Sequence, residues 1–424
     1  MTDPSKTGAG FVVVLGGRSE RELGVVRDLG YRVLLVDEQV PWHCMSWADA
    51  HLDVDLDDGD AVADAIRGEL GDAPLAAVLT HTEPRLPLMA RLNSRLAPGA
   101  PGLDETAAAN CRDKWLTRTV LSEAGLPVPR FARADTVAEA AAAATDFGYP
   151  VVVKPRDGAG AFGVRCCPDE SALRKAVAAL LDAPPGPLPG VLVEEYVDGA
   201  EYAVQTITHG ADTTVLSVFR QHMTPPPVFV ELGYEHPSGL SGADHDELAK
   251  LMQDALAALG LKDWISHTQI RRGPDGFRVI EVNARRPGGR LVEMTTAVSG
   301  VDMTEAVTRQ VLGLPQAAAG PTVPFARYTS IVFDTAGTVL YDEYTPDPGP
   351  SSPIVEVEVA PGETVQPKEH PNGGVYGRIV VYGETAEELD RAEQGVRAAL
   401  NLQVVFTDGL EPAATDSREF KSCC

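Results

Sequence analysis

Positive charge is what this chain has least of. Thirty-six Lys and Arg residues stand against 61 Asp and Glu, a formal net charge of −25 with no Lys- or Arg-rich run. That balance argues against a nucleic-acid backbone or an anionic membrane surface as partner. Cysteine is scarce as well: Cys44, Cys111, Cys166, Cys167, Cys423 and Cys424 are the full set. None forms a C-x-x-C pair, so neither a zinc site of that spacing nor a thioredoxin-like motif is suggested. Six cysteines in 424 residues are no disulfide framework, and a reducing, cytoplasmic compartment is expected. No apolar run approaches the length of a transmembrane helix. The Met1–Lys6 start lacks the apolar core of a signal peptide. Cys423-Cys424 is not a C-a-a-X box and reads as an unmodified tail. Internal repeats are absent.

What remains is ordinary globular material, 44% hydrophobic and 23% charged, too long for one core, so two to four domains are expected. Phe11–Leu15 is a β-branched apolar run, a helical segment follows from Ser19 to about Leu29, and Tyr31–Asp37 is a second strand. This is a β-α-β unit with a glycine turn at Gly16-Gly17. The turn is not G-x-G-x-x-G, so a Rossmann-like domain is expected without a nicotinamide cofactor. Leu75–Thr80 is another strand, and His81 and Glu83 follow its carboxyl end, where open α/β sheets bind ligands. They read as a substrate contact or as a satisfied polar pair in a loop, the second the simpler.

Helices are expected from Asp104 and from Asp113 to Glu123, and an alanine-rich one behind the N-cap Thr136. Tyr149–Pro155 is an apolar strand with Lys154 at its far end, where a lysine is costly unless it meets an anion. Gly158, Gly160 and Gly163 follow at once. Their spacing gives a loop whose amides can approach phosphate oxygens; a plain hairpin turn is the simpler alternative. Further on, Val279-Ile280-Glu281-Val282-Asn283-Ala284-Arg285 reads as a strand that ends in polar groups before Gly288-Gly289. Alternation puts Glu281, Asn283 and Arg285 on one face. A carboxylate and an amide oxygen two residues apart can share a hard cation such as Mg²⁺, and the arginine can reach a phosphate held there. An edge strand with a polar face would look the same. Trp264–Ile270 is its antiparallel partner through the turn Pro274-Asp275-Gly276, with Gln269 facing Glu281. After Leu314-Pro315 the composition shifts, and residues 315 to 415 read as a small α+β domain with no chemical signal.

Strand-borne Lys154, the glycine loop, Glu194-Glu195-Tyr196-Val197, Glu201 and Glu281-x-Asn283-x-Arg285 occur in that order. This resembles the ATP-grasp superfamily. Val230–Ser238 and Val359–Val365 make it most similar to carboxylate–amine ligases of the L-amino acid ligase type. The resemblance implies an α/β and α+β multidomain chain: a Rossmann-like domain over 1–110, a two-lobed ATP-grasp domain over 111–313 with a lid at about 125–198, and a C-terminal α+β domain over 314–424. It implies ATP and Mg²⁺ (or Mn²⁺), a small carboxylate or amino acid and an amine as partners, and a homodimer at family level. Lys114 and Lys154 would hold phosphates, with the Gly158–Gly163 loop over them. Glu194, Glu195 and Val197 would line the adenine slot, and Glu201 would accept the ribose hydroxyls. Glu281, Asn283 and Gln269 would hold the metal. Arg285, with Arg290, would stabilise an acyl phosphate, and Glu231, Arg285 and Gly288 would meet substrate. The implied reaction joins a carboxylate to an amine through that acyl phosphate, giving an amide, ADP and phosphate. One departure stands out. The family pattern H-x-E is His267-Thr268-Gln269 here, which removes one negative charge from the metal position. A nucleotide-binding protein impaired in catalysis, or another ATP-grasp reaction such as carboxylation, therefore stays open.

Overall fold

The computed structural model describes residues 10–158, 163–183, 188–317, 320–347, 349, 351–368, 370 and 373–405. At its N-terminal end Ala50–Asp53, Arg32–Asp37, Phe11–Leu15 and Leu75–Thr80 lie side by side in that order, all parallel. Phe11–Leu15 is buried at every position, as a central strand covered on both faces must be. The helix Glu20–Asp28 is capped by Ser19, whose side chain accepts from the Glu22 amide. The β-α-β unit expected from the sequence is therefore present, with its glycine turn at the carboxyl end of the first strand.

A second, antiparallel sheet runs Phe131–Ala134, Val191–Glu195, Val151–Pro155, Arg165–Cys167. Two helices, Val137–Phe147 and Glu170–Asp182, cover it. Thr136 caps the first in a reciprocal arrangement with Glu139. Ala140, Ala141 and Ala144 face Val151, Val153 and Val193 in one small core. Alanine there lets the helix lie close on valine strands. It also leaves the core small.

The third sheet holds eight strands, in the order Gly276–Asn283, Trp264–Gly273, Ala200–His209, Asp212–Met223, Glu231–His236, Phe325–Ser330, Gly377–Gly383, Ile354–Val357. The last three lie beyond residue 314, so the sheet runs without interruption from the polar hairpin into the C-terminal region. A small sheet of Thr364–Val365, Gly337–Leu340 and Gln403–Val405, and the helix Ala386–Leu400, accompany them. The strand Ile354–Val357 ends where the Glu358 amide turns to the Tyr376 carbonyl. Among the described residues, no helix is long and apolar enough to cross a membrane.

Candidate active site

The hairpin Trp264–Gly273/Gly276–Asn283 sets the site. Gln269 pairs with Glu281, and His267 with Asn283, so the expected cross-strand facing is observed. A bulge lies between them: the next pair along is Ile270 with Val279, which leaves Ile280 unpaired. Simple alternation would put Val279 on the polar face with Glu281. The bulge turns Val279 into the core, fully buried beside Val282, and frees the Ile280 carbonyl to accept from Arg118. Tertiary packing overrides the period of two here, and only downstream of the bulge do Glu281 and Asn283 share a face.

Three other segments bring charge to Glu281. The helix Lys114–Glu123, capped by Asp113, presents Lys114, Thr117, Arg118 and Leu121 as its buried stripe. Lys114 Nζ lies 2.9 Å from Glu281 and donates to the Gly158 carbonyl at 2.8 Å. Lys154 Nζ lies 2.5 Å from Glu194, which Arg118 Nε approaches from the other side at 2.5 Å. Arg156 pairs with Asp113, and its carbonyl accepts from the Lys114 amide at 3.0 Å. Burial pushes the Glu281 carboxyl up, but Lys114, Lys154 and Arg285 more than offset this and hold it at about 2. Burial also favours neutral Lys154 against the pull of Glu194, and its pKa falls below the usual lysine value. An anionic ligand arriving at Lys154 would raise its pKa again.

Arg285 lies just past the strand end and donates to Glu83 through Nε (3.1 Å) and Nη2 (3.0 Å). Arg286 pairs with Glu22 of the first helix. Both contacts join the N-terminal domain to the hairpin. His81, one turn away, is buried; burial and the nearby Arg286 depress it to about 4, so it is neutral. His267 is likewise held to about 3 by burial and Arg285, and its Nδ1 meets Gln205 Oε1 at 2.9 Å.

The other expected site residues fall in distinct places. Glu194, expected at the adenine slot, is 3% exposed and holds Lys154 and Arg118 instead of facing a slot. Glu195 lies on Arg130 at 2.7 Å, near the surface. Glu201 is held by Arg271 at 2.7 Å, and the same guanidinium donates to the Val197 carbonyl at 3.0 Å. Arg271 also lies against the Tyr196 and Phe229 rings. Arg290 does not stand beside Arg285 with open hands; it pairs with Glu293 at 2.5 Å and with Glu356 of the C-terminal strand. Gly288 forms the turn into the helix Leu291–Ser299. Gly158 and Gly163 are both at positive φ, where glycine is favoured. Gly160 lies outside the described residues. Glu231 is half-buried and accepts from Tyr234 at 2.5 Å. Burial raises its pKa against the hydrogen bonds from Tyr234 and Tyr328.

Sequence reasoning missed Arg118, Arg156, Arg271 and the tie from Glu83 to Arg285. A signal existed for Arg118. Lys114 and Arg118 are four apart on a helix whose other buried positions are Thr117 and Leu121, so two cations share an inward stripe. It missed also that the C-terminal region touches the site, through Tyr328 against Glu231 and Glu356 against Arg290.

The metal implied by the resemblance fits the donors. Glu281 offers a carboxylate and Asn283 an amide oxygen on the same face. The Gln269 amide donates to Gln221 at 3.4 Å, which leaves its oxygen end for a cation. These are hard oxygen donors of the kind Mg²⁺ takes when phosphates complete its shell, and Lys114 marks where Glu281 already accepts positive charge.

Residues 147–294 match the ATP-grasp domain. A D-alanine--D-alanine ligase from Marinobacter nauticus is 30% identical over 60% of this chain and 75% of its own. An uncharacterized protein of Sinorhizobium fredii is also 30% identical, over 62% of this chain; the chain spans 55% of that relative's length. The crystal structure of an L-amino acid ligase from Bacillus licheniformis superposes with a TM-score of 0.76 over 94% of this chain and 99% of its own, at 23% identity. The matched domain contains Lys154 and Glu281, and together with the Marinobacter relative, covered over 75% of its length, it shows that the chain belongs to the ATP-grasp superfamily.

Proposed function

We propose that this protein is an ATP-dependent ligase that joins a carboxylate to an amine, forming an amide, and that an amino acid supplies the carboxylate so that the product is a dipeptide or close relative. The observation that carries the reading is the convergence of Lys114 and Lys154 on Glu281, beside the glycine loop base, with Arg285 at the end of the same strand. A carboxylate attacking a γ-phosphate brings two anions together. Lys154 and Lys114 offset that repulsion, and Arg285 stabilises the acyl phosphate and the charge that develops when the amine attacks it. Mg²⁺ held by Glu281, Asn283 and Gln269 would supply further positive charge to the phosphate oxygens. The acyl phosphate must be kept from water, and a glycine loop that starts at Gly158 would serve that task. Tyr196 and the Val197 backbone line the base, and Glu201, with Arg271 at its side, receives the ribose. Glu231 receives an ammonium group. The D-alanine--D-alanine ligase relatives and the L-amino acid ligase fold both support amide formation between amino acids.

The test is phosphate release from ATP and Mg²⁺ across a matrix of amino acids, other small carboxylates and amines, with mass spectrometry of the products. Pair-dependent release with a new amide mass is the expected outcome. Bicarbonate-dependent release without an amide would replace the reading by carboxylation. One observation favours a second reading: Gln269, not a carboxylate, faces Glu281, as in a nucleotide-binding protein impaired in turnover. Tight ATP binding with no release for any pair, and release gained on Gln269→Glu, would establish it.

A further inference from the structure

We infer that Glu83, a residue of the N-terminal domain, is the positioning residue for Arg285, and that it links this arginine to the base of the glycine loop. The inference rests on the ligase reading for the role of Arg285 and on geometry for everything else.

Glu83 begins a short turn at the carboxyl end of the Leu75–Thr80 strand. Its side chain is 4% exposed, and two arginines from distant segments meet it. Its Oε2 accepts from Arg285 Nε and Nη2 at 3.1 and 3.0 Å. Its Oε1 lies 3.7 Å from Arg112 Nη1. Arg112 reaches Asp157 at 3.5 Å with its other terminal nitrogen. Asp157 precedes Gly158, whose carbonyl accepts from Lys114, and Lys114 returns to Glu281. Alternating charges thus run from Glu281 through Lys114 to the loop base, then through Asp157, Arg112 and Glu83 to Arg285. Every one of these groups is at least partly buried.

The donor count gives Glu83 its purpose. A guanidinium carries five N–H groups. In Arg285 two go to Glu83 and one, from Nη1, goes to the Arg286 carbonyl at 3.0 Å. The remaining two are the ones available to an acyl phosphate, and the first three fix their direction. A long, flexible side chain held this way meets the reacting phosphate without first losing its rotamer freedom. Because Glu83 also holds Arg112, movement of the loop base and orientation of Arg285 are mechanically joined. A simple domain tie would require only the Arg286–Glu22 pair, which lies alongside.

The test compares wild type with Glu83→Gln on two independent readouts. The first needs no turnover: the rate at which phenylglyoxal modifies Arg285 in the nucleotide-free protein, mapped by peptide mass spectrometry. Arg285 is 14% exposed and held on three sides, so release from Glu83 is expected to speed modification severalfold. The second is turnover with whichever amino acid pair the phosphate-release matrix identifies. A misplaced arginine is expected to lower kcat by about 100-fold with the KM for ATP unchanged. Phosphate released per amide formed should rise above one, because an unprotected acyl phosphate hydrolyses. Glu83→Asp, which keeps the charge and withdraws the oxygen by one methylene, is expected to lie between the two and serves alone if the glutamine variant does not fold. Unchanged Arg285 modification in these variants overturns the proposal. So does a loss confined to the KM for the amine, which would make Glu83 a substrate contact. If wild type releases no phosphate with any pair, the ligase reading fails, while the modification rates still decide what Glu83 does.

Discussion

The two ends of the candidate site solve the same problem differently. At the phosphate end, charges are buried in opposed pairs drawn from separate segments: Lys154 and Arg118 on Glu194, Lys114 on Glu281, Arg156 on Asp113. At the Glu231 end, a single half-buried carboxylate is capped by neutral donors, Tyr234 and Tyr328, from neighbouring strands of one sheet. In the ligase reading proposed above, the first end would receive the negative charges of the nucleotide. The second, where burial raises the Glu231 pKa, would offer its carboxylate to an arriving ammonium. The difference teaches where damage should be large. Removing one member of a buried ion pair strands the other, whereas removing one neutral donor from a carboxylate leaves a satisfied group short by one bond.

Predictions follow that order of size. Arg118→Leu should destabilise the protein by about 3–5 kcal/mol, because Glu194 loses one of its two cations and the bulged Ile280 carbonyl loses its donor; urea denaturation measures this, and a loss below 1 kcal/mol would erase the contrast drawn above. Glu281→Gln should lower ATP-dependent phosphate release by about 10²–10³-fold while the fold survives, since Lys114 keeps the Gly158 carbonyl; rate assays beside thermal melts separate the two effects. Gln269→Glu adds a carboxylate opposite Glu281 and should tighten Mn²⁺ binding by about tenfold, as one more charged oxygen ligand does, read by calorimetry with a nonhydrolysable nucleotide. Tyr328→Phe should cost about 1 kcal/mol or less and raise the KM for the amine more than it lowers kcat. An equal loss in both would place Tyr328 with the phosphate end.

Acid sharpens the comparison in a third place, the contact between the N-terminal domain and the hairpin. Burial and Arg286 depress His81 from 6.5 to about 4. Between those values the unfolded chain binds a proton that the folded chain does not. Stability should therefore fall as pH drops through this window, by up to about 1.4 kcal/mol per pH unit for this residue. His81→Gln should flatten that slope in denaturation curves taken from pH 7 to 4.

Much of the fold was legible because its signals are local. The Phe11–Leu15 strand, the Thr136 cap and the turn at Pro274-Asp275-Gly276 follow from side chains within a few residues of one another. Opposed Gln269 and Glu281 followed from counting back from that turn. The bulge at Ile280 did not, because it depends on which face of the hairpin the core covers. The C-terminal strands gave no chemical signal because theirs comes from their place at the far edge of the sheet, where Tyr328 and Glu356 reach groups donated by other segments. The resemblance implies an adenine-slot role for Glu194 but says nothing of its partners, Arg118 on a helix and Lys154 on the neighbouring strand.

Order and spacing along the chain were enough to pick out the candidate groups: a lysine at a strand end, a glycine-rich stretch, and a carboxylate, amide and arginine closing a second strand. Strand and turn geometry are properties of adjacent residues, so order and spacing suffice for them. Only the tertiary structure decided how those charges are held. Arg118 meets Glu194 across 76 residues and Arg285 meets Glu83 across 202. The reason is electrostatic. A charge taken out of water must find its counter-charge in three dimensions, and nothing along the chain records which distant segment will supply it.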